Sequence, residues 1–439
     1  MGEWGLPLFV SETRMSYRAI LAMSLAAILA GCASSRPAPV VAGSRTPIPP
    51  RPPITKPVTP VTPQPTDFAL APARFSDIPG WATADTAPAL TAFKRQCASW
   101  RNRTPDAALT GGRYGGTVST WLGPCDAAST ILPGQERWFF ENYFDPNFVF
   151  GPGEAKLTSY FEPVIQASRQ WTPQMTEPLL KRPPDMITVD LGAFAEAYDN
   201  ETLRGAPRTL NGKLNGDRIG PYPKRESITP FLGQIIGYAH PADVYNLQVQ
   251  GSGRLAFQDG TQARAQFSAQ NGYKWNSALG ALRNSGRLTN PSWTNFRSWL
   301  DTNPGEQKTA LNADPSYVFF QEEQIADTTA GPKGAANVPL TAMGSIAVDP
   351  AYHPYGAIVF VDGTYDGYAF QRLMVAQDTG GAIRRGPNRG DVFAGTGAQA
   401  GAFAEKMNST PARWWTLLPK AFGTGAPIAG VSTGPTPHG

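Results

Sequence analysis

A mainly β fold, built of small barrels with helices packed outside them, is what this sequence predicts, and three observations carry that expectation. From Thr158 onward short apolar runs are punctuated by Gly, Pro and Asn, the pattern of small β-barrels. Upstream, between Phe75 and Phe148, the spacing is helical: Ala89, Leu90 and Phe93 are followed by Trp100, and a second periodicity surrounds Trp138-Phe139-Phe140 with Tyr143-Phe144. At 439 residues the chain is long enough for two or three domains at ~100 to 200 residues each, so more than one barrel has room to form.

The N-terminal stretch stands apart from that fold. Met15, a candidate start, is followed by Arg18 and an apolar, small-residue run from Ile20 to Ala30. That run is too short for a permanent transmembrane helix and the right size for a signal-peptide core. It ends in Leu29-Ala30-Gly31-Cys32, which resembles a bacterial lipoprotein signal. The resemblance implies that residues 1–31 are a signal peptide and that Cys32 carries the lipid. With Ala33 and not Asp after the cysteine, it also implies sorting to the periplasmic face of the outer membrane. From Arg36 to Thr66 Pro, Thr, Val and Arg dominate, a composition that favours extended polyproline conformations and buries too little apolar surface to fold. Residues 32–66 therefore read as the lipidated cysteine and a tether, and residues 422–439 as a flexible tail.

Within the folding region, helices of the Phe75–Phe148 segment are expected on a barrel's outside, with their aromatic cluster in the core. Strands are expected near Met186 to Val189 and Tyr245 to Gln250, and a helix across Trp293 to Leu300. Leu373 to Ala376 reads as a short buried strand, the glycines at 380, 381, 386 and 390 permit tight turns, and Val392-Phe393 begins a second apolar step. Asp378 and Asp391 then each fall where a strand meets a loop, where a scaffold presents functional groups. Cys97 and Cys125 are an even pair in what the signal makes an oxidising compartment; they are read either as a disulfide or as two buried thiols.

Several segments, taken in order, resemble the membrane-bound lytic murein transglycosylase A family across roughly Leu157 to Leu418. Asp349 in GSIAVDPAYHPYGAIVFVDG, Asp378 in DTGGAIRRG and Asp391 in NRGDVFAGTG are similar to its three-aspartate module. LTSYFEPVIQASR (157–169) resembles its substrate-groove motif, PYPKRESI (221–228) and QVQGSGRL (248–255) its inserted domain, and DPSYVFF (314–320) and GPKGAANVPL (331–340) its return segment. The resemblance implies a double-psi β-barrel assembled from residues 67–167 and 310–421, with a second small β-barrel, 168–309, inserted. A glycan strand would bind in the groove between the two.

The implied chemistry is cleavage of the β-1,4 bond between N-acetylmuramic acid and N-acetylglucosamine in peptidoglycan. One aspartate protonates the glycosidic oxygen and then, as carboxylate, takes the proton from the sugar's own 6-hydroxyl as it attacks C1, leaving a 1,6-anhydro end. The resemblance assigns that acid to Asp391, in Asp391-Val392-Phe393-Ala394-Gly395. Asp378 assists as the second catalytic aspartate, and Asp349 supports. Thr158 and Tyr160 match a T-G-Y-Y element in which Ser159 and Phe161 depart from the pattern. With Gln250, Ser252 and Arg384 they are the substrate-binding candidates, and Glu162 is a candidate second carboxylate. An aspartate at its free value near ~3.9 would be ionised at neutral pH, so Asp391 needs burial or the like charge of Asp378 to act as an acid. Arg384, Arg385 and Arg389 would oppose that if they faced it, and at least one is expected to bind substrate or another carboxylate.

Other classes find less support. Charged residues make up 16% of the chain and the net charge is +4, too mild and dispersed for nucleic acid. No spacing among the cysteines and His240, His353 and His438 resembles a zinc or thiol site, so neither a metal nor any cofactor is expected. The expected partners are peptidoglycan strands, a membrane through the lipid, and cell-wall enzyme complexes. The alternatives are a two-carboxylate hydrolase, with Asp378 and Asp391 sharing acid and base roles, and a non-catalytic wall-binding lipoprotein.

Overall fold

The computed structural model of the protein describes residues 67–204, 209–230 and 233–420. The expectations for Cys32, the signal segment, the tether and the 422–439 tail lie outside the described residues. No helix among the described residues is long and apolar enough to cross a membrane.

A nine-stranded sheet forms the larger body. Its strands run in the order Ala69–Pro72, Phe144–Phe150, Arg413–Pro419, Ile358–Tyr365, Tyr368–Asp378, Ser345–Val348, Arg389–Thr396, Lys156–Glu162 and Asn408–Ser409. Alternation along these strands sorts side chains to two faces. Val359, Val361, Met374, Ala376, Trp414 and Leu418 join Ile346, Val348, Val392 and Leu157 in one core, the interior of the curled sheet. Their neighbours Ile358, Phe360, Leu373, Val375, Trp415 and Leu417 face a second core, closed by the helices that lie between the strands Ala69–Pro72 and Phe144–Phe150 in the chain.

Those helices form where the sequence places an apolar stripe. Ala87–Trp100 has proline in its first turn and buries Ala89, Leu90, Phe93, Cys97 and Trp100, one face at helical spacing. Val118–Thr130 buries Val118, Trp121, Cys125 and Ala128. Cys97 and Cys125 are joined as a disulfide between these two helices. In Glu136–Tyr143 the aromatic run divides: Phe139 and Phe140 are fully buried, whereas Trp138 is exposed.

The second body is a six-stranded sheet ordered Val318–Glu323, Gln262–Gln270, Gly253–Phe257, Val164–Ser168, Ile235–Ala239 and Glu177–Leu180, with a three-stranded ribbon, Ile187–Asp190, Thr209–Asn215 and Arg218–Pro221, beside it. This sheet takes in Val164–Ser168 and Val318–Glu323, so it reaches beyond 168–309 at both ends. The strand near Met186 to Val189 forms as Ile187–Asp190, and the helix across Trp293 to Leu300 as Trp293–Thr302. The strand expected at Tyr245 to Gln250 does not form: Pro241–Gln250 is a helix, capped by His240, whose Nδ1 accepts from the Ala242 amide. Helices form also at Ala278–Asn284 and Ala398–Lys406, within the stretch expected to be mainly short strands.

Candidate active site

The short strand Ser345–Val348 positions the site. It pairs in parallel with Tyr368–Asp378 and antiparallel with Arg389–Thr396, and Ala347 is in register with Asp378 on one side and Asp391 on the other. Asp391 is in turn registered with Thr158 on the Lys156–Glu162 strand. The row Asp378, Ala347, Asp391, Thr158 thus crosses four neighbouring strands, and facing residues on adjacent strands are close enough to interact. Asp378 ends its strand, as expected. Asp391 is the third residue of its strand and not at a junction, so its backbone is held by ladder pairing on both sides.

Hydrogen bonds tie this row together. Thr158 Oγ1 donates to Asp391 Oδ1 at 2.5 Å and accepts from Arg389 Nη2 at 2.8 Å. The Tyr160 hydroxyl donates to Asp378 Oδ2 at 2.7 Å, while the amides of Thr379 and Ala335 donate to Asp378 Oδ1, each at 2.9 Å. The Ala335 amide gets there because Gly334 packs against the strand end: a Cβ on it would stand 2.4 Å from the Gln377 carbonyl oxygen and 3.2 Å from Asp378 Cβ. Phe393, two residues beyond Asp391, lies with its ring 5.4 Å from that of Tyr160.

The two carboxyls experience different forces. Burial raises the Asp391 carboxyl to about 6; the Thr158 hydrogen bond and Arg389 pull it down, and Asp378 pushes it up. Burial also raises Asp378, against the three donors that favour its charged form. The Tyr160 phenol is driven well above its ordinary value by burial and then by the charge of Asp378. Arg389 is lowered by burial, with Asp391 acting the other way.

The remaining sequence candidates divide. Asp349 is buried and spends both oxygens on backbone, accepting from Ala351 and Gly386 amides at 3.0 and 3.1 Å. Gln250 Oε1 accepts from the Phe161 amide at 3.2 Å, which brings the turn of the second body against the strand of Thr158 and Tyr160. Ser252 is buried, and its Oγ accepts from the Phe267 amide at 2.9 Å, so it braces that turn from within. Arg384 and Arg385 are exposed, and the arginine that turns to the acid is Arg389. Glu162, the candidate second carboxylate, is fully buried and held by Arg254 Nε at 2.9 Å, Arg264 Nε at 2.6 Å and Thr396 Oγ1 at 2.6 Å, partners that fit a structural carboxylate.

Sequence reasoning missed Tyr355, whose phenol is pushed up to about 12 by burial and then by Asp378, and the Ala335 amide. Both lie inside the quoted segments 344–363 and 331–340, but neither segment shows which of its residues turns toward Asp378. Arg389 could have been singled out, because in a strand residues two apart share a face and Arg389 precedes Asp391 by two. Among the described residues no group of three or more His, Cys, Asp or Glu is placed to hold a metal.

Comparison with known proteins places the chain in a family. Residues 156–321 match the family model of the MltA specific insert domain and residues 344–417 that of the 3D domain. The chain is similar to a membrane-bound lytic murein transglycosylase from Agrobacterium tumefaciens, with 30% identity and a TM-score of 0.66 over 80% of this chain and 98% of that one. It is likewise similar to MltA from Neisseria gonorrhoeae, with 28% identity and a TM-score of 0.66 over 81% and 94%. Membrane-bound lytic murein transglycosylase A of Escherichia coli K12 is 29% identical over 354 residues, 77% of this chain and 84% of that protein. The barrel is accordingly the double-psi fold of these neighbours, and the chain belongs to the membrane-bound lytic murein transglycosylase A family, a peptidoglycan lytic transglycosylase.

Proposed function

We propose that the protein cleaves the β-1,4 bond between N-acetylmuramic acid and N-acetylglucosamine with Asp391 as the single acid and base, forming 1,6-anhydromuramic ends. The observation that carries this reading is the inequality of the two carboxyls. With its pKa near 6, Asp391 keeps about one molecule in ten protonated at pH 7, against fewer than about one in a thousand for a free aspartate. Asp378 receives three hydrogen bonds across both oxygens, which suits a fixed negative charge facing a cationic transition state and not a base that must collect a proton. In the forward step Asp391 gives its proton to the leaving oxygen. The carboxylate then accepts the proton of the 6-hydroxyl as that oxygen bonds to C1, so the acid is regenerated and no water enters the product.

Thr158 and Tyr160 orient the two aspartates and line the sugar's path, with Gln250 at the facing turn and Arg384 offering an exposed cation to anionic groups of the wall polymer. Digestion of purified peptidoglycan in heavy-oxygen water tests the mechanism by mass spectrometry. Unlabelled muramyl ends, lighter by one water than hydrolytic ends, are expected. Label at C1 would refute the mechanism in favour of the hydrolase, and no new ends would leave a binding module.

For location, we infer lipidation of Cys32 and residence on the periplasmic face of the outer membrane, tethered so that the barrels reach the wall. The support is the sequence around Cys32 and the description of the relatives as membrane-bound. Fatty-acid labelling should be lost in Cys32→Ala, and recovery of the wild type with inner membrane would count against the sorting step.

A further inference from the structure

His353 is a buried titratable residue that the chemistry above does not use, and it adjoins the loop joining Asp378 to Asp391. Its ring is enclosed by Trp414, stacked with centroids 5.6 Å apart, and by Tyr114, edge-on at 5.7 Å. Nε2 lies 2.6 Å from the Pro387 carbonyl oxygen and Nδ1 2.5 Å from the Tyr114 hydroxyl. A carbonyl can only accept, so Nε2 bears the proton and Nδ1 accepts from Tyr114. The Tyr114 oxygen in turn accepts from Thr416 Oγ1 at 3.1 Å.

The same turn grips the neighbouring residue. Asp349 Oδ2 accepts from the Gly386 amide, and the Asp349 carbonyl accepts from the amides of Tyr352 and His353 at 3.0 and 3.1 Å. Gly386 and Pro387 are thereby fixed to the Asp349–His353 turn. The backbone from Asn388 to Asp391 has little slack: the Asn388 carbonyl accepts from the Lys156 amide at 2.9 Å, Arg389 reaches Thr158, and Thr158 donates to Asp391. A displacement at Pro387 must pass into these contacts within four residues.

The geometry points to His353 as a positioning residue for the reaction: with Tyr114 and Asp349 it fixes the Gly386–Pro387 return, and through it the Arg389–Thr158–Asp391 contacts that set the acid. This rests on Asp391 being that acid. Burial holds the imidazole down to about 4, against the Pro387 carbonyl and Asp349, so the neutral, donating form persists across the working pH range. The charged and titratable groups that act on Asp391 are Arg389 on its own strand, Asp378 and Tyr160.

The test measures kcat, KM and the pH profile on soluble peptidoglycan fragments for His353→Leu, His353→Gln, Tyr114→Phe and Asp391→Asn. In His353→Leu kcat should fall about 10²-fold, as for a small misplacement of a catalytic group, with KM within about twofold, and the alkaline limb of kcat should move. His353→Gln keeps an N–H able to reach the Pro387 carbonyl and should restore most of the loss. Tyr114→Phe should shift the limb in the same direction, because Nδ1 then loses its donor and the ring is held from the Pro387 side alone, and it carries the test if His353→Leu fails to fold. A folded His353→Leu or Tyr114→Phe with the wild-type kcat and limb overturns the proposal. Turnover by Asp391→Asn would overturn the acid assignment instead, and the clamp with it.

Discussion

Burial holds the Asp391 carboxyl at about 6, above the usual aspartate value, and that displacement bears on stability as well as catalysis. Between about pH 4 and pH 6 the folded protein retains a proton that the unfolded chain has released, so stability falls as pH rises through that window. Above pH 6 the folded state carries a constant cost of at most about 3 kcal/mol. Asp391→Asn should therefore abolish turnover, because an amide has no proton of suitable acidity to give, and yet raise the unfolding temperature at pH 7.5 with no gain at pH 4. Calorimetry at the two pH values checks this, and a folded variant less stable than wild type at pH 7.5 would contradict the burial argument. The aspartates were legible in the sequence because each lies in a recognisable motif. The choice of Arg389 over Arg384 required strand alternation, and the Ala335 amide required knowing which distant loop closes over Asp378.

The helix Pro241–Gln250 illustrates what local pattern can and cannot decide. Tyr245, Leu247 and Val249 alternate like a strand, yet Ala242, Tyr245 and Gln248, with Val244 and Leu247, are buried at helical spacing. The deciding signals are at the ends: proline in the first turn and Gly251 just past the last, with φ of 86° in the left-handed region. A Cβ at Gly251 would meet nothing within 4 Å, so the cost of substitution there is purely backbone. Gly251→Ala should cost about 1–2 kcal/mol and Gly251→Asn less, since asparagine tolerates this conformation. Denaturant midpoints give the comparison; equal costs for the two would mean that the helix end had rearranged. Because Gln250 meets the Phe161 amide from this helix end, the alanine variant should also lose glycan affinity ahead of kcat.

At the scale of the whole molecule, the site exists only because parallel pairings join segments far apart in the chain. Thr158 and Asp391 are separated by 233 residues, and the crossover that aligns them left no trace in composition or periodicity. Motifs in a recognisable order supplied the double-psi barrel where pattern supplied only strands. The two bodies meet at Glu162, which ends a strand of the nine-stranded sheet; after the single residue Pro163 the chain enters the six-stranded one at Val164. Arg254 and Arg264 come from the second sheet and Thr396 from the first, so one carboxylate joins both. A buried carboxylate between two guanidinium groups contributes through the charges it would leave unpaired, and breaking such a cluster costs about 3–5 kcal/mol. Glu162→Gln should therefore lower the unfolding free energy by that amount, read from the denaturant midpoint and slope, while the folded variant keeps the wild-type pH profile and unlabelled anhydro products. If Glu162 were instead a second catalytic carboxylate, turnover would vanish in protein that remains folded, and product analysis below the unfolding transition distinguishes the two.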